Sequence, residues 1–464
     1  MIQAISSESP MDQFELDPGA HRCPGPSTRD IILADGQDVP EALVTEAPKY
    51  LGSDDVSYER YYSREIFDLE MKKLWPKVWQ WACREEELRE PGDYVTYEVG
   101  PHSLIVMRGE DNRIRAFYNA CLHRGTQLRR PGDSGWTPDL RCPFHGWTWT
   151  TEGALKSIPC RWDFPHVEDA AFRLPEAKVG TWGGFVFVNM DENAPPLEDF
   201  LGVIPDHMRD GWDMQKRAVY LHVQKELDTN WKAAQEAFLE AYHVYETHSQ
   251  NLPFAGDANA QYDVFDDHVT RFVHTHGVPS PHYPHAQTEQ EIADKMHLPA
   301  GTVVPEGRTA RSVAAEWRRT NLGAKWGLDL SAYSDSEMLD SIEYHLFPNM
   351  CIFPGISLSM VYRFRPIGMD PGRTLFDILF LRPLKDGEEH PDPVAPVRIG
   401  AEQSYCDAPG LEGWLGATFD QDTDNLVRQY RGFQSSKKRG ETLGNYQESR
   451  IRHFHQVLDA YLAR

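Results

Sequence analysis

At 464 residues the chain is too long for one ordinary domain, and its 40% hydrophobic and 11% aromatic residues are enough for a sizeable core. Its 47 Lys plus Arg against 71 Asp plus Glu leave a net charge of −24, which excludes phosphate backbones and anionic lipid as expected partners. Mean hydropathy is −0.56, the longest apolar run (Phe185 to Val188) is far too short to span a bilayer, and residues 1 to 18 have neither the basic nor the apolar stretch of a targeting peptide. A cytoplasmic protein is expected, with its seven cysteines as thiols or metal ligands.

In chain order, residues 1–55 are rich in Asp, Glu, Pro and Ser and read as an extended or partly disordered arm, of a kind that can lie on a neighbouring subunit. Residues 56–78 carry helical spacing at Ile66, Leu69, Met71, Leu74 and Trp75 and end at Pro76. The helix is expected to carry Trp75, Trp79 and Trp81 into the core. Residues 79–195 hold short alternating runs, DYVTYEV, SLIVMR, RIRAFYN and GGFVFVNM, and predict a compact antiparallel β domain. Residues 196–464 form a second, larger domain. Its longest helix is predicted in DTNWKAAQEAFLEAYHVYETHSQ, and residues 251–340, rich in His, Pro and Gly, read as irregular. Strands follow in EYHLFPNMCIF, GISLSMVYRFRP and RTLFDILFLRPL, the last two joined by a turn at MDPGR. Alternation from Ile356 through Leu358, Met360, Tyr362 and Phe364 predicts burial of one face. A last helix places Ile451, Phe454, Leu458, Tyr461 and Leu462 on one stripe. There is no G-x-G-x-x-G and no Walker loop, so no nucleotide site is expected.

Two constellations carry chemistry. In NACLHRGTQL and RCPFHGWTW, Cys121 and His123 form one pair and Cys142 and His145 another. Two loops, each with one thiolate and one imidazole, can hold a [2Fe–2S] cluster with both Cys on one iron and both His on the other. Gly125, Pro143 and Gly146 suit such loops. A Cys2His2 zinc site is the alternative, though zinc favours like ligands in each pair. Cys23, Cys83, Cys160, Cys351 and Cys406 fit no ligand spacing, and Cys160 is near enough to line the domain.

In the second, Glu236, Glu240 and His243 are spaced to share one helical face, and His248 follows five residues later. On a straight helix His243 and His248 point about 140° apart, so both face one ion only if the helix bends or ends between them. Two imidazoles and a carboxylate suit a non-haem Fe(II) with open positions. The carboxylate must come from elsewhere, and GATFDQDTDNLVRQYRGF offers Asp420, Asp422 and Asp424. His274, His276, His282 and His285 read as loop surface.

Taken together, C-x-H, C-x-x-H, N-W-K, E-x-Y-H-x-x-x-x-H and D-x-D-N in this order resemble the α subunit of Rieske non-haem iron ring-hydroxylating oxygenases, from about residue 60 to 460. The resemblance implies an α+β protein with a small antiparallel Rieske domain and a larger catalytic domain whose antiparallel sheet is covered by helices. It implies a [2Fe–2S] cluster on Cys121, His123, Cys142 and His145, and a mononuclear Fe(II) on His243, His248 and Asp422, with Asp424 as runner-up. It further implies hydroxylation of an aromatic or other hydrophobic ring with O2, electrons from NAD(P)H through a reductase with or without a ferredoxin, and a trimer with or without a small β subunit. Glu240 stands where many dioxygenases of the family carry an Asp that bridges a ligand His to a neighbour's cluster His, here His145. Glu at that place, as in branches resembling quaternary-amine monooxygenases, raises monooxygenation of a non-aromatic substrate as the alternative.

Overall fold

The computed structural model describes residues 17–464. The alternating runs DYVTYEV and SLIVMR form an antiparallel pair, Asp93–Val99 on His102–Arg108, with Val95, Tyr97 and Val99 buried on one face. This pair sits in a seven-stranded sheet. Its order is Gln80–Arg84, Phe185–Asn189, Glu176–Trp182, Ile114–Tyr118, His102–Arg108, Asp93–Val99, Ser134–Trp136. Beside it lies a three-stranded sheet of Leu140–Arg141, Thr148–Trp149 and Leu155–Ser157, with a separate apolar core that includes Phe117, Trp147, Trp149 and Leu174.

The larger domain is built on eight strands in the order Ala255–Val264, Val269–His276, Ser341–Leu346, Met350–Phe353, Met360–Pro366, Thr374–Pro383, Arg217–Leu227, Val397–Ile399. Pairing is antiparallel except for Val397–Ile399, which runs parallel to Arg217–Leu227. The mixture of helices and antiparallel sheets is the expected α+β class. Register places Phe364 opposite Phe376 and Tyr362 opposite Ile378. Phe364 and Phe376 stack at 4.4 Å, and Phe238 and Phe419 close over them from the helical side. Such aromatic pairs contribute about 1 kcal/mol each beyond burial.

Buried arginines join the two sheets. Arg363 donates to the carbonyls of Trp81 (2.9 Å) and Ala82 (2.8 Å) and to Asp377 (3.1 Å). Arg365 donates to Glu98 O at 3.0 Å and to Asp377 at 3.3 Å, and Arg84 donates to Arg217 O at 2.9 Å. Burial alone would push Asp377 up, but Arg363, Arg365 and His222 outweigh it and hold its carboxyl well below the usual range.

Several expectations need correction. Residues 1–16 lie outside the described residues, but 17–55 are not extended throughout. They contain helices Thr28–Ala34 and Glu41–Val44, and Ile32 and Leu43 are fully buried against the chain's own core. Ser27 caps the first of these helices with a capping box, and Thr28 Oγ1 donates to Asn259 O at 2.8 Å. Trp81 is in the core, yet on strand Gln80–Arg84 and not on a helix. The segment 251–340 is not irregular: it holds two long strands and the helix Ala310–Trp326. His274 and His276 lie on one of those strands, and His274 is buried. Met360–Pro366 is buried on both faces, because helices cover one side and strand Gln80–Arg84 the other.

Candidate metal centres

The two Cys–His loops close in the same way. Cys121 N–H donates to Thr126 O (2.8 Å), and Gly125 N–H returns to Cys121 O (2.9 Å). Cys142 N–H donates to Trp147 O (2.8 Å), and Gly146 N–H returns to Cys142 O (3.1 Å). Each loop therefore spends five residues on one turn, and its fourth residue after the Cys is Gly at positive φ, +78° for Gly125 and +74° for Gly146. Both sulfurs are buried at the base, while His123 and His145 sit half-buried at the tip with ring centroids 4.7 Å apart. His123 stacks on Trp147 at 5.0 Å. Burial pushes the Cys121 thiol up, and the amides of His123 and Arg124 point at its sulfur.

These residues fit a [2Fe–2S] cluster on their own chemistry. The buried Nδ1 of His123 has no hydrogen-bond partner among the described residues, an orphan that a metal bond would satisfy. The remaining five cysteines are free thiols, and Cys160 is exposed rather than part of the lining.

The segment expected as one long helix is broken into two short ones, and His243 and His248 sit at the two ends of the second. Asn230 caps helix Trp231–Glu236 by accepting from Lys232 N. The helix stops there, and helical structure resumes only at Val244–Thr247. Between them Ala241 N–H donates to Tyr262 Oη at 2.9 Å, and Arg450 donates to Leu239 O at 3.0 Å, so the freed backbone groups are satisfied. His243 and His248 flank the short helix Val244–Thr247, which ends at His248 (φ −119°, ψ 41°), and their ring centroids are 5.2 Å apart.

Of the three carboxylates in the long helix Trp414–Ser435, only Asp422 reaches them. Its Oδ1 is 2.7 Å from His248 Nε2 and 3.5 Å from His243 Nε2. Donor atoms of His243, His248 and Asp422 all lie within 4.8 Å of one another. Asp424 is exposed and pairs with Arg428, while Asp420 accepts from Tyr405 N at 2.9 Å.

Outer partners set the tautomers. His243 Nδ1–H donates to Glu240 Oε1 at 2.7 Å, and His243 N–H donates to Glu240 Oε2 at 2.9 Å. His248 Nδ1–H donates to Gln421 Oε1 at 2.9 Å. Both Nε2 atoms are thereby turned toward Asp422. Burial pushes the His243 imidazole down, but Glu240 and Asp422 outweigh it and lift it to about 9. An acid set that holds a proton this firmly is one in which a cation fits. Sequence reasoning missed Gln421. Its adjacency to Asp422 gave no signal, since neighbouring helical residues diverge by about 100°, yet both reach His248.

A cavity of about 740 Å³ opens beside these residues. Its wall carries Glu236, Glu240, Glu441 and Glu448 as well as His243 and Asp422. Among the described residues no helix is long and apolar enough to cross a membrane.

Residues 211–464 match the family model for the catalytic domain of ring-hydroxylating α subunits, and residues 78–168 match that for the Rieske [2Fe–2S] domain. Among relatives, the α subunit of 2-aminobenzenesulfonate 2,3-dioxygenase from Alcaligenes sp. is 35% identical over 40% of this chain and 48% of its own. The chlorobenzene dioxygenase α subunit of Cupriavidus sp. strain PS12 is 31% identical over 40% and 42%, and the carnitine monooxygenase oxygenase subunit of Acinetobacter pittii is 33% identical over 40% and 51%. The aligned segments thus span about half the length of the curated relatives. Among solved structures, a quaternary ammonium Rieske monooxygenase superposes with TM-score 0.63 at 19% identity, covering 89% of this chain and all of that one. Naphthalene 1,2-dioxygenase with bound phenanthrene gives 0.62 at 18%, covering 90% and 94%. At these identities the likeness establishes the fold.

Proposed function

The chain belongs to the ring-hydroxylating α-subunit family, with a Rieske domain ahead of its catalytic domain, and on that premise we propose that it is the terminal oxygenase of a multicomponent system. It would use O2 and electrons from a reductase, directly or through a ferredoxin, to hydroxylate an aromatic or other hydrophobic ring. The observation that carries this reading is the convergence of His243, His248 and Asp422 beside a cavity, in a chain that also presents two Cys–His loops.

Cys121, Cys142, His123 and His145 would hold the cluster, and His243, His248 and Asp422 the mononuclear Fe(II). When bound, the two groups together supply stepwise electron delivery and O2 activation. The chain's own residues do the rest. Glu240 and Gln421 hold two imidazoles in one tautomer and orientation, so the Nε2 atoms are preset as donors. The stacked layer of Phe238, Tyr362, Phe364, Phe376 and Phe419 backs the catalytic helix and keeps water from that side.

A trimer is part of the reading. Phe144 is 58% exposed and Trp162 81% exposed, an apolar rim near the cluster loops that suits a docked neighbour. Glu240 lines the cavity with His243, where it would bridge toward His145 of an adjacent copy. A cytoplasmic setting and a role in aromatic catabolism go with this reading. The domain division proposed is 79–195 for the Rieske domain and 196–464, with 56–78, for the catalytic one.

One observation favours the second reading, a monooxygenase acting on a quaternary amine: the cavity wall is rich in carboxylates and suits a cation. A substrate panel of neutral aromatics and trimethylammonium compounds, supplied with a matched reductase, separates the two. Hydroxylated ring product supports the first, and release of an aldehyde from the amine supports the second. No oxygen incorporation from either group sinks both.

A further inference from the structure

Behind the cavity wall lies a buried node that the metal centres do not use. Tyr61 Oη is 2.8 Å from Glu441 Oε2, 2.9 Å from Glu236 Oε2 and 3.0 Å from His455 Nε2. His455 Nε2 is also 2.9 Å from Glu236 Oε1. Tyr61 is fully buried, and Glu236 and His455 are nearly so. These residues come from helices Glu59–Tyr62, Trp231–Glu236 and Ser449–Ala463 and strand Gly440–Glu441, so four separate elements converge.

The protons can be counted. The neutral imidazole carries one, which it donates to Glu236 Oε1. The hydroxyl carries one, which it gives to one carboxylate only. The hydroxyl oxygen is still in hydrogen-bond contact with the other carboxyl, oxygen to oxygen, with no hydrogen left to place there. That contact is satisfied only if one of the two carboxyls is protonated and donates to Tyr61 Oη. The nearby cations do not replace it. Lys232 Nζ is 2.5 Å from Glu70, and Arg60 is 2.7 Å from Asp459. Lys438, a cation near Glu441, is 3.1 Å from Asp55, and on the cavity side Glu240, Glu448 and Asp422 are acidic beside His243.

We propose that Glu236 and Glu441 share one proton through the Tyr61 hydroxyl, and that this store supplies protons to the cavity beside His243 and Asp422. Burial pushes both carboxyls well above their ordinary range, and Glu448 at the same wall is pushed up to about 7. The function follows from stoichiometry and rests on the oxygenase reading. Whether one or both atoms of O2 enter the substrate, the reaction consumes two electrons, from the reductase, and two protons. In the step assigned to the store, the Glu236 O–H bond breaks and its proton goes to an oxygen atom derived from O2. The pair is then without its shared proton, and it is refilled when Glu441 takes one from solvent through water in the cavity and passes it to Glu236 through the hydroxyl.

The store is tested on the holoenzyme by infrared difference spectroscopy across neutral pH. The carbonyl stretch of a protonated carboxyl is expected in the native protein, absent from Glu236→Gln and Glu441→Gln, and shifted in Tyr61→Phe. Persistence of an unchanged band in all three variants overturns the proposal. So does absence of the band from the native protein, as when a metal ion takes the proton's place. Delivery is read separately: Glu236→Gln with native iron content should turn over at least roughly 10-fold more slowly, with a larger solvent isotope effect than the native enzyme. Native turnover and an unchanged isotope effect overturn delivery. The infrared result does not depend on product formation, so failure of the store and failure of the oxygenase reading are distinguishable.

Discussion

At the scale of single residues, the three aspartates of one helix are told apart by where they point. Asp422→Ala should lose the mononuclear iron and keep the red-brown cluster, dropping from roughly three iron atoms per chain to roughly two by elemental analysis. Asp424→Ala should keep all three, since its carboxylate pairs with Arg428 at the surface. Gln421→Leu leaves the ligands in place but frees the His248 ring, and iron affinity should fall on the order of 10–100-fold in a chelator competition. Another residue-scale effect concerns acid. Burial pushes His453 down to about 4, with Lys49 adding to it, and pushes His345 well below its ordinary value. Unfolded, these imidazoles titrate near 6.5. The unfolded chain thus binds more protons below that pH, so their contribution to stability is complete above about 6.5 and is lost as pH falls toward 4. Melting temperature should drop over that window, and less so in His453→Gln.

At the scale of elements, each cluster loop depends on one glycine in the left-handed region. A Cβ on Gly125 meets nothing within 4 Å, so Gly125→Ala isolates the backbone cost, about 1–2 kcal/mol. The apo protein should show it as a lower melting temperature, and the cluster spectrum should survive. Gly146→Ala adds contact at 3.3 Å with Pro159 and should be the worse of the two. These loops were legible in the sequence because everything that defines them falls within six residues: the Cys, the His two or three places on, and the Gly. The catalytic segment was only half legible. The spacing of His243 and His248 demanded a bend or a helix end between them, and the helix does end at His248, but the earlier break before His243 is held by Tyr262 and Arg450, which are distant in the chain. The strands Ala255–Val264 and Val269–His276 were not legible at all. They are buried nearly throughout, so no polar alternation marks them, and AGDANAQYDV has the composition of a loop. The candidate third carboxylate was narrowed to three Asp residues read as preceding a helix, whereas all three lie inside helix Trp414–Ser435, and the choice of Asp422 leaned on the family's order.

At the scale of the whole molecule, two predictions concern how parts are joined. Asp377 is fully buried between Arg363 and Arg365, and Asp377→Asn leaves two guanidinium groups short of a counter-charge. A loss of about 3–5 kcal/mol is expected in denaturant unfolding. For the proposed trimer, chains made cluster-dead by His145→Ala and iron-dead by His243→Ala should be inactive alone and regain activity when mixed and reassembled. Mixed trimers that form and stay inactive would remove the inter-subunit path.

The arginines that reach from the large sheet into Trp81, Ala82 and Glu98 have a consequence for how this protein can work. Some electron-transfer proteins carry charge by swinging a domain on a tether, docking first at the donor and then at the acceptor. Here the pivot is riveted. Guanidinium groups from one sheet are plugged into backbone carbonyls of the other, and a swing would strand them without partners at a cost of several kcal/mol. The interval between the cluster loops and His243 in a single chain is therefore a constant of the framework, not a variable that thermal motion can shorten. Whatever that interval demands has to be met by stationary means, and a crosslink across the two sheets should leave turnover unchanged.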